Sequence, residues 1–135
     1  MAHVLDGYDG PCRNVHGHSF RLEVTVIGSP TTDTKSPRNG MVMDFSDLKA
    51  IVKSKVIDQF DHVLLLNSKR ELAQKGNNLF LEKIVAVDYQ PTCENMIVHI
   101  AKLISTELPE GVKLHHLKLH ETVSSYAEWY ASDNE

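Results

Sequence analysis

The sequence predicts an α+β fold in which an antiparallel sheet carries two helices on one face. Apolar residues alternate at strand spacing near both ends of the chain, and they recur at helical spacing in two segments between those ends. The resulting order is strand, strand, helix, short strand, helix, strand. A length of 135 residues with 41% apolar residues is enough for one domain with a core and too short for two ordinary domains.

The first strand is predicted at Ser19–Ile27, where apolar and polar residues alternate strictly. This alternation is typical of a strand that buries one of its faces. A short second strand is predicted at Gly40–Asp44, and the simplest connection makes it return antiparallel to the first across a polar loop.

The first helix is predicted at Phe45–Phe60, where apolar residues recur at helical spacing and the charged residues lie mostly on the opposite side. Asp44 or Ser46 can cap it, because either side-chain oxygen can accept from the free N–H groups of the first turn. The polar segment at Ser68–Asn78 is predicted to be a loop.

The second helix is predicted at Thr92–Glu107, after a short strand at Lys83–Tyr89. Thr92 is the natural N-cap, and Glu94 places a negative charge at the positive end of the helix dipole. The last strand is predicted from Val112 to about Glu121, with a bulge at the irregular His115-His116 pair. So small a sheet leaves its edges uncovered, which favours association with further copies of the chain.

The composition excludes several classes of protein. The formal net charge is −4, so no global basic field attracts nucleic acid or an anionic membrane surface. No apolar run is long enough to span a bilayer, and the first residues do not form a signal peptide. Two cysteines, Cys12 and Cys93, do not make a disulfide scaffold, and we expect free thiols in a reducing cytoplasm.

His16-Gly17-His18 lies at the entrance of the first strand and indicates a metal site. Both imidazoles share the apolar face of the strand, about 6.5–7 Å apart at the backbone, and can converge on one ion. Gly17 between them allows another backbone or a ligand to approach closely. A catalytic zinc commonly has three protein ligands, so Cys12 is either the third ligand or a reactive thiol beside the metal. The alternative is a chance pair of packed histidines.

Six segments, taken in chain order, carry a resemblance to a known family. They are Ala2-His3, Cys12-x-x-x-His16-Gly17-His18, Gly40-Met41-Val42-Met43-Asp44-Phe45-x-x-Leu48-Lys49, Asp61-His62-x-x-Leu65-x-Asn67, Pro91-Thr92-Cys93-Glu94-Asn95 and Lys118-Leu119-His120-Glu121-Thr122. Together they resemble the 6-pyruvoyl-tetrahydropterin synthase family and, within it, the 6-carboxy-tetrahydropterin synthase branch of queuosine and deazapurine synthesis. The three residues between Cys12 and His16 indicate this branch, because the pyruvoyl-forming enzymes usually carry five.

The resemblance implies the tunnelling fold, or T-fold, for a single domain over residues 1–135 that lacks most of the family's first strand. In that fold the subunits close into a barrel and usually stack as hexamers. Active sites then lie between subunits, so residues of one site come from different chains.

The resemblance also implies the roles of individual residues. Zn²⁺ is bound by His3, His16 and His18. Cys12 and the Asp61-His62 pair are catalytic, and Glu121, Thr92, Cys93 and Glu94 bind the substrate. Without the resemblance, Cys12 and Cys93 would be packed thiols, Asp61-His62 an ion pair at a helix end, and Glu121 a solvated strand residue.

The implied reaction converts 7,8-dihydroneopterin triphosphate to 6-carboxy-5,6,7,8-tetrahydropterin, acetaldehyde and triphosphate. Two alternatives remain open. The first is the pyruvoyl-forming reaction in the same site, without carbon–carbon cleavage. The second is a non-catalytic T-fold binding protein whose zinc is structural.

Overall fold

A computed structural model describes residues 1–70 and 83–134 of the chain. The strands are β1 (Ala2–His3), β2 (His16–Gly17), β3 (Arg21–Gly28), β4 (Leu64–Asn67), β5 (Ile84–Val87), β6 (Val112–His120) and β7 (Tyr126–Tyr130). The helices are α1 (Phe45–Val52), a π-helical segment (Lys53–Ile57), α2 (Asp58–Phe60) and α3 (Cys93–Ser105), and short 3₁₀ turns occupy Pro11–Arg13 and Ala131–Asp133. Within the described residues, no helix combines the length and the apolar character that crossing a membrane requires.

The predicted α+β class is confirmed: β3, β6 and β7 form an antiparallel sheet in the order β3-β6-β7, and the helices pack against it. The predicted bulge is also confirmed. Thr25 pairs with His116 and Val26 pairs with Leu114, so His115 is the extra residue on β6.

Both predicted helices are present. The segment predicted at Phe45–Phe60 is helical throughout, through α1, the π-helical segment and α2, and Asp44 caps it by accepting from the N–H of Ser46 at 2.8 Å. Thr92 caps α3 as predicted.

The strand predicted at Gly40–Asp44 is wrong. Two backbone hydrogen bonds join this segment to Thr31, from Gly40 N–H to Thr31 O and from Thr31 N–H to Met41 O. Gly40 then turns the chain with a φ of 83°, and Asp44 forms the N-cap of α1. Local turn chemistry therefore outweighs the short apolar run. Most of the loop predicted at Ser68–Asn78 lies outside the described residues.

A second sheet, in the order β2-β1-β4-β5, was not predicted from the sequence. Its β1–β4 and β4–β5 pairs are parallel, whereas β1 and β2 are antiparallel. Leu65 of β4 faces the main core, and Leu64 and Leu66 face a smaller cluster with Val4. This strand is buried on both sides, so its sequence does not alternate.

The main core lies between the three-stranded sheet and the helices. It contains apolar side chains from α3, from β6 and from the π-helical segment, among them Met96, Ile97, Ile100, Leu117, Leu119 and Val56. The end of this layer at which β3 begins and β6 ends carries the polar side chains described next.

Candidate functional site

Three histidines converge where β1 and β2 pair. His3 and His16 are direct partners across this antiparallel pair, and His18 follows two residues later. The possible ligand atoms of His3, His16 and His18 lie within 4.8 Å of one another. A Cβ on Gly17 would stand 3.2 Å from Met1 O, so the glycine allows another backbone to approach closely, which is one of the two kinds of neighbour predicted from the sequence.

Backbone carbonyls fix the orientation of two of these rings. His3 Nδ1 lies 2.7 Å from Pro91 O, and His16 Nδ1 lies 2.8 Å from Asn14 O. Because a carbonyl only accepts, each Nδ1 carries the proton and each Nε2 presents a lone pair. Both Nε2 atoms are buried, and within the described residues they have no hydrogen-bond partner.

This arrangement fits a metal ion. Metal-binding histidines characteristically donate their other ring N–H to a carbonyl or a carboxylate. Burial lowers the pKa of His3, which favours the neutral ring that a metal requires. Three imidazoles with free lone pairs are a donor set that zinc favours.

Glu121 is adjacent to the histidine cluster. It follows the end of β6, and its Oε1 lies 3.4 Å from His3 Nε2 and 3.8 Å from His18 Nε2. The preceding His120 faces the other side of the sheet, where it contacts Glu23. Glu121 and His120 therefore point to opposite faces of the sheet.

Cys12 lies in the 3₁₀ turn Pro11–Arg13 and is a partly buried free thiol. Its carbonyl accepts from the N–H of Leu5, which ties the turn to the segment after β1. Among the residues that the structure describes, the group of possible ligands consists of the three histidines and does not include Cys12. The geometry therefore does not support Cys12 as the third ligand of a metal bound there.

Asp61 and His62 form a pair immediately after α2. His62 Nδ1 lies 2.9 Å from Asp61 Oδ2, and this hydrogen bond lowers the pKa of Asp61. The His62 side chain is 90% exposed, and its backbone has a φ of 56°, which is uncommon for a residue other than glycine. The Asp61 carboxylate orients the ring and leaves Nε2 free to accept or release a proton.

A cavity of about 530 Å³ extends from this pair to His18 of the histidine cluster. Asp61, His62 and His18 all line it, together with aromatic and aliphatic side chains that include Phe20, Phe60, Leu119 and, from the π-helical segment, Val56 and Ile57. Its size and its largely apolar wall are typical of small-molecule sites.

Tyr89 is a further lining residue, which the sequence analysis missed. Its hydroxyl is buried without a hydrogen-bond partner in the described part of the chain, and burial raises its pKa to about 12. No motif marks this tyrosine, because its position depends on how the segment after β5 packs against α3. Pro91, whose carbonyl orients His3, was missed for a similar reason, since 88 residues separate the two.

The three residues proposed at the start of α3 have different environments. Thr92 Oγ1 accepts from the N–H of Asn95, and Glu94 is exposed. Cys93 is buried and donates its thiol to Leu119 O at 3.3 Å, and burial raises its pKa to about 11. The Cys93 thiol is therefore part of the core.

Comparisons with known proteins agree with these features. The family model described as 6-pyruvoyl tetrahydropterin synthase matches residues 1–132. A 6-carboxy-5,6,7,8-tetrahydropterin synthase of Haemophilus influenzae is 36% identical, over 96% of this chain and 91% of the relative. A protein of the same name from a Synechocystis strain is 37% identical, over 96% of this chain and 85% of the relative.

Solved structures show the same fold. An uncharacterized protein from Wolinella succinogenes superposes with a TM-score of 0.76 at 21% identity, over 96% of this chain and 92% of the other. The 6-pyruvoyl tetrahydropterin synthase of Plasmodium vivax superposes with a TM-score of 0.70 at 20% identity, over 95% of this chain and 87% of the other. The resemblance drawn from the six sequence segments is confirmed, and the chain belongs to the 6-pyruvoyl tetrahydropterin synthase family.

Proposed function

We propose that the chain is a zinc-dependent 6-carboxy-5,6,7,8-tetrahydropterin synthase that acts on 7,8-dihydroneopterin triphosphate. Its products are 6-carboxy-5,6,7,8-tetrahydropterin, acetaldehyde and triphosphate, and its setting is cytoplasmic queuosine or deazapurine synthesis. The observation that carries the proposal is the pair of buried, unpartnered Nε2 atoms of His3 and His16 beside His18. The names of the relatives at 36% and 37% identity support the choice of reaction.

His3, His16 and His18 would hold the zinc through Nε2 or, for His18, through either ring nitrogen. Bound there, zinc would supply Lewis acidity that lowers the pKa of the hydroxyl groups on the substrate side chain. Pro91 O and Asn14 O keep two of the rings in the required tautomer.

We assign the movement of protons to two groups. Cys12 is a free, partly accessible thiol, and its thiolate is our candidate for the base. His62 is the second acid or base, because Asp61 holds its Nδ1–H and leaves Nε2 toward the cavity or solvent.

Glu121 is the proposed acceptor for the pterin ring. The ring presents a lactam N–H beside an exocyclic amine, and a carboxylate can accept from both at once. The cavity beside His18 is large enough for the ring and has aromatic walls. Thr92 and Glu94, at the start of α3, remain proposed contacts to the same ring. Cys93 can take part only by supporting this helix end from the core.

The proposed active unit is a homo-oligomer, of hexamer size by resemblance. Among the described residues, β3 pairs along one edge with β6, and β7 pairs along one edge with β6. The free edges of these strands support association with other copies. Light scattering of the purified protein measures the number of subunits.

Mass spectrometry of the products tests the reaction, with zinc-loaded protein and 7,8-dihydroneopterin triphosphate. Carboxy-tetrahydropterin with acetaldehyde supports the proposal. Pyruvoyl-tetrahydropterin, after which the matching family model is named, keeps the family and overturns the branch. Zinc binding without turnover by the purified oligomer favours the binding-protein alternative and contradicts the enzyme.

A further inference from the structure

The contact between Glu121 and His3 lacks the proton that usually joins a carboxylate to an imidazole. His3 donates Nδ1–H to Pro91 O, so its Nε2 faces Glu121 Oε1 with a lone pair. The two atoms are 3.4 Å apart, and Nε2 has no hydrogen-bond partner. Two acceptors held this close repel each other unless a cation lies between them.

No side-chain cation of the described residues fills this role. The ion-pair contacts of Glu121 there are to His3 and His18, and neither a lysine nor an arginine is among them. A second proton on His3 would create an imidazolium on a side chain that is 2% exposed, which its burial disfavours. A metal ion bound by the histidines satisfies both acceptors at once.

The distances agree with such a metal. In a tetrahedral zinc site with bonds of about 2.0–2.1 Å, neighbouring ligand atoms are about 3.3–3.4 Å apart. Glu121 Oε1 is 3.4 Å from His3 Nε2 and 3.8 Å from His18 Nε2. Within the described residues, no ion-pair contact joins Glu121 to His16.

We propose that Glu121 is the fourth zinc ligand when substrate is absent, and that substrate binding displaces it. This inference rests on the zinc site of the proposed function and gives Glu121 a second role there. Because the same carboxylate would accept from the pterin ring, it cannot serve the metal and the ring in one position. Displacement then opens a coordination position only when a substrate is present, so zinc and substrate binding are coupled.

The test compares Glu121→Gln with Glu128→Gln. Glu128 is a matched control, because it also lies within 3.2 Å of a histidine, His116, on the other face of the sheet. Zinc affinity is measured by competition with a chromophoric chelator, and the Co²⁺-loaded proteins are compared by visible absorption. We expect Glu121→Gln to weaken zinc about 10–100-fold or more and to change the Co²⁺ spectrum, and Glu128→Gln to change neither.

A second measurement needs no variant. X-ray absorption of zinc-loaded wild-type protein without substrate is expected to show a carboxylate oxygen beside three imidazoles, and addition of neopterin is expected to remove it. Wild-type affinity and an unchanged Co²⁺ spectrum in Glu121→Gln would overturn the role of Glu121 and leave the zinc site intact. Failure of the wild-type protein to bind zinc would instead overturn the zinc site of the proposed function.

Discussion

Strand β6 and the residue after it carry carboxylate–histidine contacts on both faces of the sheet, and the two faces differ in how charge is balanced. On the outer face, His120 Nε2 lies 3.0 Å from Glu23 Oε1, and the Arg21 guanidinium donates to the same carboxylate at 2.7 Å. On the inner face, Glu121 contacts His3 and His18, and no arginine or lysine of residues 1–70 and 83–134 joins them.

The second outer contact has the same character as the first. His116 Nε2 lies 3.2 Å from Glu128 Oε1, Lys118 Nζ lies 3.7 Å from the same oxygen, and the His116 ring stacks on Tyr130. The outer carboxylates therefore have cations of the chain itself. A carboxylate next to a histidine therefore indicates a metal only under two conditions. The ring N–H of the histidine must be donated to another group, and no other cation must lie beside the carboxylate.

The largest expected effect is the loss of zinc affinity when a histidine of the inner face is removed, compared with removal of a histidine of the outer face. His16→Ala removes one of the three converging imidazoles, so we expect zinc affinity to fall by about 100-fold or more. His116→Ala removes a ring whose partners lie on the outer face, and it should leave zinc affinity unchanged. Chelator competition on both variants measures the difference.

The same pair of variants sharpens the comparison through stability. When zinc binds only the folded state and its free concentration is 100 times the dissociation constant, binding adds about 2.7 kcal/mol to the free energy of unfolding. We expect this gain in the wild type and in His116→Ala and not in His16→Ala, by denaturant unfolding with and without zinc. An equal gain in all three proteins would contradict the inner metal site.

The sequence predicted much of the inner face because local patterns determine it. Alternation along the strand predicted at Ser19–Ile27 placed His16 and His18 on the side of the apolar residues. The third histidine could not be found from a pattern, because β1 and β2 contain two residues each and show no periodicity. His3 came from the family resemblance, and the structure shows that the β1–β2 pairing brings it to the site.

The unpredicted parts of the fold depend on long-range pairing. The apolar run of β4 is compatible with a buried strand or with the end of a helix, and its parallel pairing with β1 and β5 decides the matter. The strand predicted at Gly40–Asp44 is absent because Gly40 turns the chain and Asp44 caps the helix that follows. Tyr89 lines the cavity and Pro91 orients His3 only when α3 packs beside the histidine cluster.

A smaller effect is expected for the two thiols, of which Cys93 belongs to the inner face. Burial raises its pKa to about 11, so only about one thiol in a thousand is ionised at pH 8. In the folded protein we expect iodoacetamide to label the partly buried Cys12 and to leave Cys93 unmodified, as peptide mass spectrometry would show.

The sign of the pH dependence follows from the same shift. A pKa that is higher in the folded state means that the thiol contributes stability below its unfolded pKa of about 9, and that this contribution is lost as the pH rises toward about 11. Cys93→Ala should therefore reduce the loss of stability between these pH values. Rapid labelling of native Cys93 at pH 8 would show that the thiol is accessible and that this explanation is wrong.

The smallest expected effect belongs to the buried hydroxyl of Tyr89. This hydroxyl has no hydrogen bond to the described residues, so removing it ends the cost of burying an unpaired polar group and leaves no partner unpaired. We expect Tyr89→Phe to leave the free energy of unfolding unchanged or to raise it by up to about 1 kcal/mol, measured without ligand. Tyr130→Phe on the outer face, where the hydroxyl lies 3.4 Å from Glu128 Oε1, is the matched control and should change stability little. A loss of 2 kcal/mol or more in Tyr89→Phe, on the order of a buried group losing its partner, would show that the hydroxyl is hydrogen-bonded in solution and that the cavity holds ordered water.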